Sequence, residues 1–322
     1  MSAPSPRGYS IVVVTHECAR HLGALVASLN EHLDGSQELI VVDNASSDAP
    51  AAVAGGWKGR HRFIELGENA GFGVASNVGV AEVAEPATVL LNPDTEVLDD
   101  GLGRLAAAAL ELGGLIGPRV LNPDGTIQPS ASGPEVGVWP WVRALVPGAV
   151  QPAALLARTE PYRLERRVAV SWLLGACIAG PTDVLRRLGP FDPALHMYGE
   201  DVDLGLRAAA AGIGSWLDPG ACALFHHGQG SSVVAHGSRE GWRAAGTLNW
   251  RAVLRRAYGP RREWLAWRAL RLNLRLRLLA KAPLGRAGER DRRALEAAIA
   301  ADPPPVLGDP AHAGPNGPRG SR

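Results

Sequence analysis

The chain reads as an α/β protein: a doubly wound, mostly parallel central sheet flanked by helices, with a C-terminal helical extension. Three observations predict this. Short apolar runs rich in strand formers alternate with helix-length stretches at βα spacing. The runs are apolar throughout, as in fully buried strands. Each one stops at a polar or glycine-bearing turn.

Tyr9–Thr15 (YSIVVVT) is the first strand and residues 21–32 the helix after it. Residues 38–42 (ELIVV) form the second strand and run into Asp43-Asn44-Ala45-Ser46-Ser47-Asp48, a turn able to start a helix by Ser or Asp capping. Residues 62–66 are a third strand, followed by Asn69-Ala70-Gly71-Phe72-Gly73 and a small-residue helix over 74–83. The fourth strand, 88–91, is followed by a helix over 101–112 and an apolar stretch over 115–120. Asn122-Pro123-Asp124-Gly125 carries a strong hairpin signal and no assigned chemistry. Residues 134–165 have weak periodicity and predict a long excursion over the site. Residues 168–179 read as one strand-like run, 202–211 as a helix ended by Gly212, and 218–232 as a Gly/Ser-rich loop.

A length of 322 residues suits one large domain or two small ones. The net charge of +1 gives no support to a nucleic-acid partner. Basic residues nevertheless exceed acidic ones by about a dozen over 239–293. Arginine, alanine, glycine and proline are abundant, the bias of a G+C-rich genome, so part of that excess carries no functional meaning. Cys18, Cys177 and Cys222 are odd in number and lack a Cys-x-x-Cys pair, which excludes a disulfide framework or a zinc cluster and fits a reducing compartment. The short polar start leaves no room for a secretory signal, and no apolar run is long enough to span a bilayer, so the expected location is the cytoplasm.

Chemistry concentrates in three stretches. In Ala87 to Glu96 (ATVLLNPDTE) the strand stops at Asn92-Pro93-Asp94, placing Asp94 beyond a strand's carboxyl end, where open α/β sheets bind ligands. One carboxylate beside a diphosphate suits Mg2+ or Mn2+; plain turn chemistry is the alternative. In residues 191–207, Glu200 and Asp201 open a helix, where acids also serve the helix dipole. Tyr198 and Met197 put partly apolar surface beside them, which raises carboxylate pKa values toward use as a base. His226 and His227 are the only adjacent histidines, able to bind metal or to play a structural part. Gly71 and Gly73 invite a dinucleotide reading, but position 76 is Ser and the motif follows the third strand, not the first. Asp43 is placed to meet a ribose or base, or to cap a helix.

Together, Thr15 and Glu17, Asp43-Asn44, Asn69 with Gly71-Phe72-Gly73 and Asn77, Asn92-Pro93-Asp94, Trp172 to Ala176, Glu200-Asp201 and His226 occur in an order that resembles the family 2 inverting glycosyltransferases of GT-A fold. Within them the chain looks most like bacterial rhamnosyltransferases of cell-wall synthesis. The resemblance covers residues 10–232 and, more loosely, 239–285. It implies that Thr15, Glu17, Asp43, Asn44, Asn69, Gly71, Phe72, Gly73, Asn77 and Asn92 bind the donor nucleotide, and that Asp94 and His226 hold a divalent metal (Mg2+ or Mn2+). Asn92 stands where the family's metal motif has its first acid, leaving one carboxylate for the ion. Asp201 would be the base, Glu200 its orienting partner, and Trp172, Gly175, Ala176 and Tyr198 the acceptor side.

The implied reaction moves L-rhamnose from dTDP-rhamnose onto a polyprenyl-diphosphate-linked saccharide or cell-wall glycan. Galactofuranose or another hexose is the alternative donor sugar, and a silent nucleotide-sugar or glycan-binding module the alternative class. Residues 264–281 read as a basic, Trp-bearing amphipathic helix suited to an anionic membrane surface, or as an arginine face packed on the domain; the period-two pattern at 270–278 also suits a strand. The expected organisation is a flexible start at 1–8, a catalytic domain at 9–235 divided near 100, a basic helical extension at 236–300 and a disordered tail at 301–322.

Overall fold

The computed structural model describes residues 8–195, 198–228 and 239–281, with isolated positions at 292, 295, 296 and 299. The expectations of a flexible start and a disordered tail, Met197, and the Gly/Ser-rich end of 218–232 lie outside these residues. The order is β1 (Tyr9–Thr15), α1 (Ala19–His32), β2 (Glu38–Asp43), α2 (Pro50–Ala54), β3 (His61–Glu65), α3 (Phe72–Glu82), β4 (Ala87–Leu91), β5 (Thr95–Val97), α4 (Leu102–Leu112), β6 (Leu115–Leu121) and β7 (Ala131–Ser132). Then come α5 (Trp139–Leu145), α6 (Ala153–Thr159), β8 (Val168–Ala169), β9 (Trp172–Leu173), β10 (Cys177–Pro181), α7 (Thr182–Leu188), α8 (Glu200–Ala210), β11 (Ser215–His226), α9 (Arg239–Tyr258) and α10 (Pro260–Lys281).

The main sheet runs β3-β2-β1-β4-β10-β6-β11-β5, with β8 paired to β11. β1 to β4, β6 and β11 share one direction, and β5, β8 and β10 oppose it. Alternation along β1 assigns the two faces. Ile11 and Val13 pack with Leu22, Leu25, Leu102 and Leu105 of α1 and α4. Val12 and Val14 pack with Ala75, Val80, Leu185 and Leu204 of α3, α7 and α8. A Cβ on Gly79 would lie 2.4 Å from Val12 Cγ1, so glycine lets α3 lie directly on β1.

Four expectations need correction. Residues 168–179 are three short strands: β8 pairs with β11 and β10 lies antiparallel between β4 and β6 in the main sheet, while β9 between them leaves it to pair with β7. Residues 218–226 belong to β11, whose register shifts between Asp218 and Ala223, so His226 ends a strand and not a loop. The excursion at 134–165 contains α5 and α6. No Ser or Asp side chain caps α2, which starts on Pro50; Asp48 instead accepts from Ala19 N, at the start of α1, at 2.7 Å. Residues 264–281 are helical as expected, within α10, and the period-two pattern at 270–278 does not form a strand.

Candidate active site

The loops after β1, β2 and β3 are tied to one another. Asn44 N donates to Thr15 O at 2.8 Å, Asn44 Nδ2 to Asn69 Oδ1 at 2.8 Å, and Ala70 N to Asn44 Oδ1 at 2.8 Å. Gly71 N also donates to Asn69 Oδ1, at 3.1 Å. Glu17, in a left-handed conformation (φ 49°), accepts from Ser47 N at 2.8 Å, and Asp43 accepts from Ser46 N at 3.0 Å. Both carboxylates thus hold the turns that shape this end of the sheet. Asn77 spends its amide on Phe191, donating to its carbonyl at 2.8 Å and accepting from its N–H at 2.9 Å. With Phe72 ring to ring against Phe191 at 5.3 Å and Gly73 closely packed on it, this part of α3 anchors the approach to α8.

Asp94 lies between β4 and β5, with its side chain only 4% exposed. His226 ends β11 opposite Thr95, and its Nε2 is 3.4 Å from Asp94 Oδ1. His226 Nδ1 lies 3.0 Å from Gln128 Oε1. Nδ1 donates to the amide oxygen, and this turns Nε2 toward the Asp94 carboxylate. Asn92 Oδ1 is buried with no hydrogen-bond partner.

Glu200 and Asp201 open α8 after two left-handed residues, Tyr198 (φ 67°) and Gly199 (φ 84°). Burial, reinforced by the neighbouring Asp201 charge, pushes the Glu200 carboxyl up to about 8, and Glu200 Oε2 has no hydrogen-bond partner. Burial also raises Asp201, against the opposing bonds from Val202 N at 2.8 Å and Gly175 N at 3.3 Å. Trp172 Nε1 donates to Glu135 Oε1 at 2.9 Å, and the ring packs on the cluster containing Leu195, Val202 and Leu206.

The two acid-bearing stretches meet through the strand pair β4–β10. Leu91 is opposite Cys177, Asn92 N donates to Ala176 O at 3.0 Å, and the adjacent Gly175 N donates to Asp201. One residue, Pro93, separates Asn92 from Asp94 in sequence. One short backbone segment, Gly175-Ala176, therefore contacts both the loop that carries Asp94 and the carboxylate of Asp201.

Residues 10–141 match the family described as Glycosyl transferase family 2. Those residues are a glycosyl transferase family 2 domain. The N-acetylglucosaminyl-diphospho-decaprenol L-rhamnosyltransferase of Mycobacterium tuberculosis is 29% identical over 252 residues, 70% of this chain and 79% of that protein. Among solved structures, the mannosyltransferase PcManGT of Pyrobaculum calidifontis, in complex with GDP-Man and Mn2+, aligns with TM-score 0.57 at 16% identity, covering 92% of this chain and 87% of its own. GalNAc-T7 with UDP, GalNAc and Mn2+ aligns with TM-score 0.52 at 19% identity over 68% of this chain; that alignment spans only 43% of the GalNAc-T7 chain. S. aureus TarS 1-349 aligns with TM-score 0.50 at 16% identity, over 92% and 81% of the two chains. These likenesses show the fold, and the expected GT-A architecture is the one this chain has.

Among the described residues no group of three or more His, Cys, Asp or Glu could hold a metal. Asp94 and His226 are a sparse pair of donors, which fits Mg2+ or Mn2+ as ions that retain waters and take substrate phosphate oxygens. Sequence reasoning missed Gln128, which orients His226, and Glu135, which holds Trp172; both contacts span long sequence separations without a local signal. It also missed Asp203, whose partner Arg207 follows at i+4 with Nε donating at 2.6 Å, a spacing that was legible.

Proposed function

We propose that this family 2 glycosyltransferase is an inverting enzyme that moves L-rhamnose from dTDP-rhamnose onto a diphospho-lipid-linked saccharide. The observation that carries the reading is the Gly175-Ala176 segment, bonded to Asn92 on one side and to Asp201 on the other. The donor and acceptor assignments draw support from the rhamnosyltransferase relative, which matches over most of its length.

In the proposed reaction the nucleotide lies against the loops joined by Asn44 and Asn69, its diphosphate beside Asp94, Asn92 and His226. A divalent ion held there would offset the negative charge that builds on the leaving phosphate oxygens. Asp201 takes the proton of the acceptor hydroxyl. That oxygen bonds to the anomeric carbon while the carbon–oxygen bond to phosphate breaks, and its electron pair leaves with the nucleoside diphosphate. Burial equips Asp201 for this by raising its basicity above that of a solvated carboxylate. Glu200 holds its proton at neutral pH and is suited to donate a hydrogen bond to Asp201 or to the acceptor.

The acceptor reading also draws on α10. No helix among the described residues is long and apolar enough to cross a membrane. α10 buries Ala266, Trp267, Ala269 and Leu274 but exposes Trp264, Leu265, Leu276 and Leu279, the last 68% exposed, with Arg268 and Arg275 exposed among them. An outward stripe of leucine, tryptophan and arginine suits the headgroup region of an anionic membrane at the inner face, where a lipid-linked acceptor is found. Sedimentation with anionic vesicles tests this: Leu276→Asp with Leu279→Asp should abolish binding, and undiminished binding would refute it.

The function is tested by heat protection across a panel of nucleotide sugars with Mg2+ or Mn2+, followed by transfer to an N-acetylglucosaminyl-diphospho-lipid. dTDP-rhamnose should protect most strongly and be consumed. Protection by another nucleotide sugar alone would replace the donor, and binding without turnover would favour a silent module.

A further inference from the structure

The C-terminal extension reaches back to the acid pair. Arg256, near the end of α9, donates through Nη1 to Asp192 Oδ2 at 2.5 Å and through Nη2 to Asp203 Oδ1. The two carboxylates stand on either side of Glu200-Asp201 in the chain. Asp203, with its side chain 3% exposed, is two residues past Asp201 on the first turn of α8. Its other oxygen accepts from Arg207 Nε, and Arg207 in turn donates to Leu188 O at 2.5 Å and to Pro190 O at 2.9 Å. About two turns earlier on α9, Asn249 Nδ2 donates to Tyr198 O at 2.9 Å. A Cβ added to Gly199 would lie 3.1 Å from Asn249 Cβ, so α9 presses directly on the left-handed turn. Val202 and Leu206 of α8 pack with Val253 and Leu254 of α9 and Ala266 of α10.

We propose that Arg256 and Asn249 are positioning residues for the transfer reaction: together they clamp the turn and first helical turn that present Glu200 and Asp201, and so keep Asp201 in register with Gly175. The physical argument is that two consecutive left-handed residues, one of them not glycine, persist only when surrounding contacts over-determine them. Here α9 supplies those contacts: a side-chain amide on the Tyr198 carbonyl and a guanidinium shared between the acids before and after the turn. A fork donor suits this bridge, since one planar group reaches both carboxylates at once; a lysine ammonium on a flexible stem holds them less firmly. Because α10 follows α9 directly and packs against it, the same extension that carries the exposed leucine stripe also holds the reaction's acid pair.

The inference rests on the proposed transferase function, and its test separates the two. In the full-length protein, Arg256→Met should lower kcat on the order of 10- to 100-fold, the cost of slight misplacement of a reacting group. Donor KM and heat protection by dTDP should stay at wild-type values, and Arg256→Lys should be intermediate. A wild-type kcat in Arg256→Met, or a loss that only tracks the folded fraction, overturns the proposal. Should Arg256→Met fail to fold, Asn249→Ala is held to the same split between kcat and KM. If the wild type transfers no sugar, the functional reading fails while the clamp is still tested by carboxyl NMR titration of Glu200 and Asp201. The charged groups acting on that pair are each other and Asp203, to which Arg256 is bound. Asn249→Ala loosens the same turn without changing any charge, so the water it admits should move the Glu200 titration down toward the ordinary carboxylate range, and an unmoved titration overturns the clamp.

Discussion

The two ends of the proposed site are built on different principles. On the nucleotide side, loops following parallel strands β1, β2 and β3 are stitched by short-range amide and serine contacts, and their carboxylates, Glu17 and Asp43, are spent on neighbouring backbone. On the acceptor side, Glu200 and Asp201 are buried at the head of a helix, one with an oxygen lacking any partner, beside a left-handed turn braced by a distant helix. The first arrangement satisfies its polar groups and, in the proposed reaction, binds the donor; the second leaves an acid under-satisfied, as the proposed chemistry requires. The difference teaches that binding and chemistry here should respond differently to substitution.

The largest expected effect lies on the acceptor side. Asp201→Asn should reduce transfer by about 10²- to 10⁴-fold, the usual worth of a general base, while dTDP still protects the protein from heat; retained turnover would remove Asp201 from the chemistry. His226→Ala should come next, raising the concentration of Mn2+ or Mg2+ needed for half-maximal activity. Metal dependence identical to wild type would sever His226 from the ion.

Asn44→Ala probes the nucleotide side. It removes the bonds to Asn69 and Ala70 and should lower stability by about 1–3 kcal/mol, with donor KM raised and kcat little changed. A loss confined to kcat would erase the contrast between the two ends.

The smallest effect is one of pH on stability. The Glu200 carboxyl is raised from 4.5 in its ordinary state to about 8 in the fold. Between those values the folded state holds more protons than the unfolded, so this group's contribution is full below the ordinary value and is lost as pH rises through the folded one. Glu200→Gln, which cannot ionise, should therefore melt a few degrees above wild type at pH 8.5 and lose that advantage near pH 5. Parallel melting curves at both pH values would contradict the raised carboxyl.

The nucleotide side was the more legible half in sequence, for a physical reason. Parallel βα units are local: an apolar run, a polar turn and a helix follow one another, so β1 to β4 and the position of Asp94 emerge from patterning alone. β10 is inserted antiparallel between β4 and β6 by contacts far apart in the chain, and the run at 168–179 carries no mark of where it leaves one sheet and enters another. His226 was singled out while its strand was not, because the turn-like Asp218-Pro219-Gly220 lies at a register shift within β11 and not at its end. Asp201 was found through its helix start. Its dependence on Arg256 and Asn249 was hidden, since neither residue differs in sequence from the other polar positions of a basic helix.

The account's central claim is that Asp94 and Asp201 serve opposite ends of one glycosyl–phosphate bond, in a single displacement. Its most direct test is the anomeric configuration of the transferred sugar, read by NMR on the product of a defined acceptor. The account predicts a configuration opposite to that in the donor, and retention of the donor's configuration would contradict it.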